Sequence, residues 1–174
     1  MIKQTLFLFL PILFLLGGCA QKEVEVDYNP RVKITHYQTF RVAERLDAKL
    51  SELDLRRVRR AVTVVLKEKG YRPAPTADFT ARIDGMIVRD VPSQISFGFG
   101  FGGYGPHGGG ELGTALTPTE DKLSLRLDMV DTHNRVFWSA SLFEKLPAFK
   151  TPQARARFFY QAVEKLLLRF PPRP

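Results

Sequence analysis

Cys19 ends the run Leu16-Gly17-Gly18-Cys19 directly behind an apolar N-terminal stretch, where a thiol has one evident use: attack on a diacylglyceryl donor to form a thioether. The residues around it fit that chemistry. Lys3 supplies a positive leader, Leu6 to Leu16 form an apolar core, and Gly17 and Gly18 are the small residues a signal peptidase needs before its cut. A membrane-spanning helix needs about 20 apolar residues, and Pro11 and the glycine pair interrupt this stretch first. The chain has one cysteine, so no intramolecular disulfide competes for it. An ordinary buried thiol is the competing reading, and it leaves the placement unexplained. Residues 1–18 are therefore expected to be a removed lipoprotein signal peptide and 19–25 a lipidated tether, with palmitate-type acyl chains each adding about 0.8 kcal/mol of membrane affinity per buried methylene. The lipid on Cys19 is the one covalent group expected, and no other cofactor is.

Other residue types that carry chemistry are sparse. His36, His107 and His133 form no His-x-x-x-His pair, and no second cysteine is available to share a metal. No Gly-x-Ser-x-Gly elbow is present. Glu120 and Asp121 are adjacent, which points them to opposite faces of a strand, and Asp128 and Asp131 suit turn formation better than proton sharing. An enzyme acting on cell wall or lipid would need Asp128, Asp131 and His133 to converge in a cleft. The expectation is a protein that is not an enzyme and has no evident small-molecule substrate.

Gly98, Gly100 and Gly103 have the spacing of a nucleotide-binding fingerprint, but Pro106 and Gly108 to Gly110 forbid the helix such a loop must open. The stretch FGFGFGGYGPHGGG instead interleaves Phe97, Phe99, Phe101 and Tyr104 with glycine. It reads as a loose linker, a contact for a partner or a second copy, or a membrane contact. The net charge of +8 falls by one to +7 when Lys3 leaves with the leader. Export argues against nucleic acid as the matching anion and favours lipid phosphates or acidic envelope polymers. Arg56, Arg57, Arg59 and Arg60 are the candidate anion-binding face, with a simple solvated helix surface as the plainer alternative.

The elements that must position these residues follow from periodicity. Removing 18 residues from 174 leaves 156, enough for one domain, set at 26–172 with a Gly/aromatic-rich loop at 97–113. Ile34 to Val42 reads as strand, and Leu55, Val58, Val62, Val65 and Leu66 recur at helical spacing from about Asp54 to Lys69. Ser51 or Asp54 can cap that helix, and Gly70 stands where a left-handed terminator belongs. Phe79, Ala81, Ile83, Gly85 and Ile87 alternate as a strand, and Leu123 to Met129 and Val136 to Leu142 form a hairpin around Asp131-Thr132-His133-Asn134. Thr151-Pro152 opens a second helix that Phe170-Pro171-Pro172 closes. The expected fold is α+β, a mainly antiparallel four-stranded sheet with two helices packed on one face, in the order β-α-β-(Gly-rich loop)-β-β-α. Trp138 is expected in its core rather than as a carbohydrate platform.

Several of these segments together resemble a lipoprotein family, the domain of unknown function 4136. Asp27-Tyr28-Asn29-Pro30 looks like its entry motif and Tyr37-Gln38-Thr39-Phe40 like its first strand. Lys69-Gly70-Tyr71 with Ala77-Asp78 is similar to its helix exit and second strand. The Gly-rich loop, Leu125-Arg126-Leu127-Asp128, Val136-Phe137-Trp138 and Phe170-Pro171-Pro172 keep its order. Arg41-Val42 departs from the family, where a Trp is often found. The resemblance implies an envelope location and the fold above, and it transfers no catalytic residue.

The expectation is thus a bacterial envelope lipoprotein, held by Cys19 on the outer membrane facing the periplasm, since Ala20 is not the Asp of an inner-membrane retention signal. Its expected partners are that membrane and another envelope protein or a second copy. An anionic-polymer or lipid-binding surface protein is the alternative.

Overall fold

A computed structural model of the chain describes residues 24–44, 49–92 and 119–173. Among the described residues, six strands and two long helices follow in order: β1 Val24–Tyr28, β2 Thr39–Glu44, α1 Glu52–Glu68, β3 Arg72–Pro73, β4 Phe79–Pro92, β5 Thr119–Asp131, β6 Val136–Lys145 and α2 Pro152–Leu167. A single 3-10 turn occupies Ile34–His36, inside the stretch expected as strand.

The sheet is six-stranded and mixed, which corrects the four-stranded, mainly antiparallel expectation. Its strand order is β1-β6-β5-β4-β2-β3. β4, β5, β6 and β1 pair antiparallel, whereas β2 lies parallel to both β4 and β3. The reason lies in the connection. The chain leaves β2, returns through α1, meets one side of β2 as the short β3 and then crosses to its other side as β4, the crossover that parallel neighbours require. The two extra strands are edges: β1 alternates Val with Glu and Asp, and β3 has only two residues, one of them Pro73.

Local chemistry sets the helix ends. Ser51 Oγ accepts the Asp54 N–H at 3.3 Å, and Thr151 Oγ1 accepts the Ala154 N–H at 3.1 Å ahead of Pro152. At the other end of α1, Gly70 adopts φ +91°; its N–H reaches Lys67 O at 2.9 Å and the Tyr71 N–H reaches Leu66 O at 3.0 Å. That pair of bonds satisfies carbonyls the helix would otherwise leave open.

Both helices cover the sheet face that carries Phe40, Ala81, Ile83, Leu125, Leu127 and Ala140, all buried. An aromatic cluster closes this core. Phe79 lies 5.5 Å from Tyr71 and 5.9 Å from Phe137, while Trp138 meets Phe170 edge-on at 5.1 Å. Gly85 admits the chain entering α1: the Lys49 N–H donates to Gly85 O at 2.9 Å, and a Cβ at Gly85 would stand 2.8 Å from Leu50 Cδ1.

The opposite face carries Arg41, Thr80, Arg82, Arg126 and Ser139, because successive side chains alternate across a strand. Register also fixes the molecule's two ends. Val24, Leu142, Leu125 and Gly85 share one row, so β1 begins at the end where α1 is entered. The Asp131–Arg135 turn and Gly70 lie at the other end.

Candidate functional site

Three of the four arginines on the candidate anion-binding face come together. Arg56, Arg57 and Arg60 line a groove of about 550 Å³ between the helices, facing Arg157 of α2. Ala61, Val64, Ala156 and Tyr160 complete it, so cationic rims enclose a partly apolar floor. Arg59 lies elsewhere, on a shallower surface with Thr63, Arg41 and Pro73 beside the β2 edge. A one-residue step on a helix turns the side chain by about 100°, which separates Arg59 from Arg60.

The groove's cations differ in their freedom. Arg57 Nη1 is 2.8 Å from Asp54 Oδ1, while Arg56 stands 3.8 Å from Glu52 with both side chains mostly in solvent. Beneath them Asp54, 1 % exposed, accepts Arg155 Nε at 2.8 Å and Nη2 at 2.7 Å as well as the Ser51 hydroxyl at 2.9 Å. Burial alone would raise the Asp54 pKa, but its bonds to Arg155, Ser51 and Arg57 outweigh that and hold it below its usual value. The guanidinium of Arg155 also lies over Phe149 at 5.1 Å and Phe159 at 5.6 Å. This network fixes the N-terminal turns of α1 and α2 against each other and so shapes the groove.

A second concavity, about 530 Å³, opens on the uncovered sheet face near the β5–β6 turn. Arg41 and Arg82 enter it from parallel strands, with Arg41 opposite Thr80 and Arg82 opposite Ala43 in the register. Arg41 Nε donates to Thr80 Oγ1 at 2.8 Å, and Arg82 Nη2 donates to Asn134 Oδ1 at 2.7 Å. Asn134 holds its amide there from a left-handed backbone, φ 62°, at the closing position of the turn. Asp131 lines the same space but is committed. Its Oδ1 accepts the N–H groups of His133 and Arg135, both at 2.9 Å, and its Oδ2 lies 2.8 Å from Arg135 Nη2. These contacts, led by the Arg135 amide, keep its pKa below the usual carboxylate value.

Asp128, Asp131 and His133 do not form one acid–base cluster. Asp128, 4 % exposed, accepts Arg126 Nε at 2.8 Å and Ser139 Oγ at 2.7 Å. His133 is exposed in the turn, with its backbone N–H on Asp131. His36 sits exposed on the 3-10 turn, and Trp138, 2 % exposed, belongs to the core. Among the described residues no three metal-ligating side chains gather, and no helix is long and apolar enough to cross a membrane. Cys19 and the aromatic residues Phe97, Phe99, Phe101 and Tyr104 lie outside the described residues.

Sequence reasoning missed Arg157, Arg41, Arg82 and Asn134. Helical spacing could have drawn Arg157 onto the rim, since it lies three residues before Tyr160 on α2. Arg41 and Arg82 meet through a parallel register that no local pattern encodes.

Comparison with known proteins adds a family and a fold. The family described as "Domain of unknown function (DUF4136)" matches residues 24–172. None of the curated proteins matches the sequence significantly. Among solved structures, a PDZ domain protein from Parabacteroides distasonis is 13% identical with a TM-score of 0.52, over 86% of this chain. The match spans only 35% of that protein, so the likeness concerns the fold of one part of it. PelC dodecamers from Paraburkholderia phytofirmans give TM-scores of 0.43 and 0.45 at 12% and 10% identity, each over 82% of this chain and over 95% and 97% of theirs.

Proposed function

The chain belongs to the DUF4136 family, and from that premise we propose that it is a bacterial envelope lipoprotein, a non-enzymatic module tethered through Cys19 that docks to another envelope component. The observation that carries this reading is the position of the lipid-acceptor run. Leu16-Gly17-Gly18-Cys19 ends five residues before β1 begins at Val24 (24 − 19 = 5), so a tether of at most about 18 Å joins the acyl chains to the sheet. In this reading the protein faces the periplasm from the outer membrane, and Phe97, Phe99, Phe101 and Tyr104 supply ring contacts to the docking partner or to a second copy.

The test is the intact mass of the full chain purified from membranes of a Gram-negative host. The expected product starts at Cys19 and carries a diacylglyceryl and an acyl group, and a Cys19→Ser chain lacks both. An unmodified Cys19 would end the reading. Photocrosslinking from position 104 in the lipidated protein then reads the partner, and one discrete protein adduct is the expected result.

A second reading has its own support, the gathering of Arg157 with Arg56, Arg57 and Arg60 across the helix groove. In it the helix layer binds an anionic polymer or anionic lipid, each surface charge adding about 1 kcal/mol near an acidic leaflet. Sedimentation with acidic vesicles that weakens with salt, and is lost in Arg56→Gln/Arg60→Gln/Arg157→Gln, is the outcome this reading requires.

A further inference from the structure

We infer that the concavity between β2, β4 and the β5–β6 turn is a binding site for an oxyanion, a phosphate or carboxylate group, clamped between Arg41 and Arg82. Four observations carry it, none involving Cys19 or the helix groove. The two guanidinium groups project from adjacent strands into one half-open space of about 530 Å³.

Each guanidinium is also oriented without being neutralised. Thr80 and Asn134 accept one N–H from each through neutral oxygens, and among the described residues neither arginine forms an ion pair. An arginine has five N–H donors, so both retain donors for a ligand in a fixed fork.

The carboxylate that could compete has been withdrawn. Asp131 directs both oxygens to Arg135 and to two backbone amides, so its charge is balanced within the turn. Asp128, which lies opposite Arg82 in the register, is likewise bound by Arg126 at 2.8 Å and Ser139 at 2.7 Å, so neither carboxylate is paired with Arg41 or Arg82.

Finally, the residues that hold the guanidiniums are themselves held. Thr80 sits within the β4–β5 ladder opposite Val130, and Asn134 is fixed by its N–H on Asp131 O at 3.0 Å. Preorganised donors bind more tightly than donors that must be ordered on contact. Ala43, Ala77 and Pro75 on the walls leave room for a compact apolar body behind the anionic group. A phosphate ester and a peptide or sugar carboxylate share this chemistry.

The test is an amide NMR titration of the chain from Ala20 onward, which retains every described element, at constant ionic strength. Inorganic phosphate and acetate are the two probes. The expected result is saturable shifts at Thr80, Arg82 and Asn134 with one or both probes. Stronger binding of phosphate identifies a phosphate-bearing ligand, and stronger binding of acetate a carboxylate-bearing one. Arg41→Gln/Arg82→Gln should weaken binding about tenfold or more, and Arg41→Lys, which keeps the charge but loses the fork, should fall between. Shifts that stay linear across the millimolar range for both probes overturn the proposal. So does binding that survives the double substitution while the amide spectrum still shows a folded chain.

Discussion

Asp54 and Arg155, 101 positions apart, form a two-point clasp in which both carboxylate oxygens accept from one guanidinium at 2.8 and 2.7 Å. Asp54 thereby does two tasks, stabilising the first turn of α1 and holding α2 in register beside it. Its oxygens also take the Ser51 hydroxyl and Arg57 Nη1, so no buried lone pair is wasted.

Breaking this clasp from one side strands the other partner. Asp54→Asn should cost about 3 kcal/mol, read as a lower urea midpoint with an unchanged m-value. Arg155→Met should cost a similar amount. The double substitution Asp54→Leu/Arg155→Met should cost at least about 1 kcal/mol less than the two single losses added together. Additive losses would show that the two side chains act separately.

Asp78 ties the start of β2 to the start of β4. One oxygen, Oδ2, accepts the Gln38 N–H at 2.8 Å, the Thr39 N–H at 2.9 Å and the Thr39 hydroxyl at 2.9 Å. Those bonds, the Gln38 amide foremost, set its pKa below the ordinary 3.8. A group with a depressed folded pKa stabilises above its unfolded value, and that contribution fades as pH falls from about 4 through the folded pKa. Asp78→Asn should therefore cost stability at neutral pH and flatten the acid limb of the stability–pH curve. Parallel curves for both proteins would refute the assignment.

Gly70 is the position where a side chain is opposed by backbone geometry. At φ +91° a Cβ is strained, and it would also stand 3.2 Å from Arg173 Cβ. Gly70→Ala should lower stability by about 1 to 2 kcal/mol in urea unfolding. Gly70→Asn should lose less, because Asn tolerates left-handed backbone better.

Gly85 makes a different demand. Its backbone is ordinary, but a Cβ would meet Leu50 Cδ1 at 2.8 Å and Leu125 Cδ1 at 3.0 Å. Gly85→Ala should destabilise by about 1 to 3 kcal/mol through overpacking. Adding Leu50→Val should then cost less than Leu50→Val alone, visible as positive coupling in thermal unfolding. Equal costs in both backgrounds would mean that Leu50 does not rest on Gly85.

Much of this structure was readable residue by residue. Ser51, Gly70, Thr151 and Pro152 marked the helix ends because each acts on its own few neighbours, and the alternation at Leu123 to Met129 gave the hairpin strand directly. The sheet's composition was not readable in the same way. Val24 to Asp27 alternates well enough to begin a strand, but nothing in it names β6 as the neighbour it pairs with. The parallel pairing of β2 with β4 depends on where a 17-residue helix returns the chain, which is a tertiary fact. The site followed the same division. Arg56, Arg57 and Arg60 are neighbours through their shared helix, whereas Arg41 and Arg82 become neighbours only after the crossover is built.

The antiparallel seating of β1 on β6 has a mechanical consequence. Any pull that reaches the domain through the residues before Val24 runs along the strand, away from the end where the Asp131 turn lies. Such a load shears the ladder, so the five pairings from Val24↔Leu142 to Tyr28↔Trp138 resist together rather than peeling one after another. A load at the leading end is thus shared by all five pairings before it reaches the Asp131 turn.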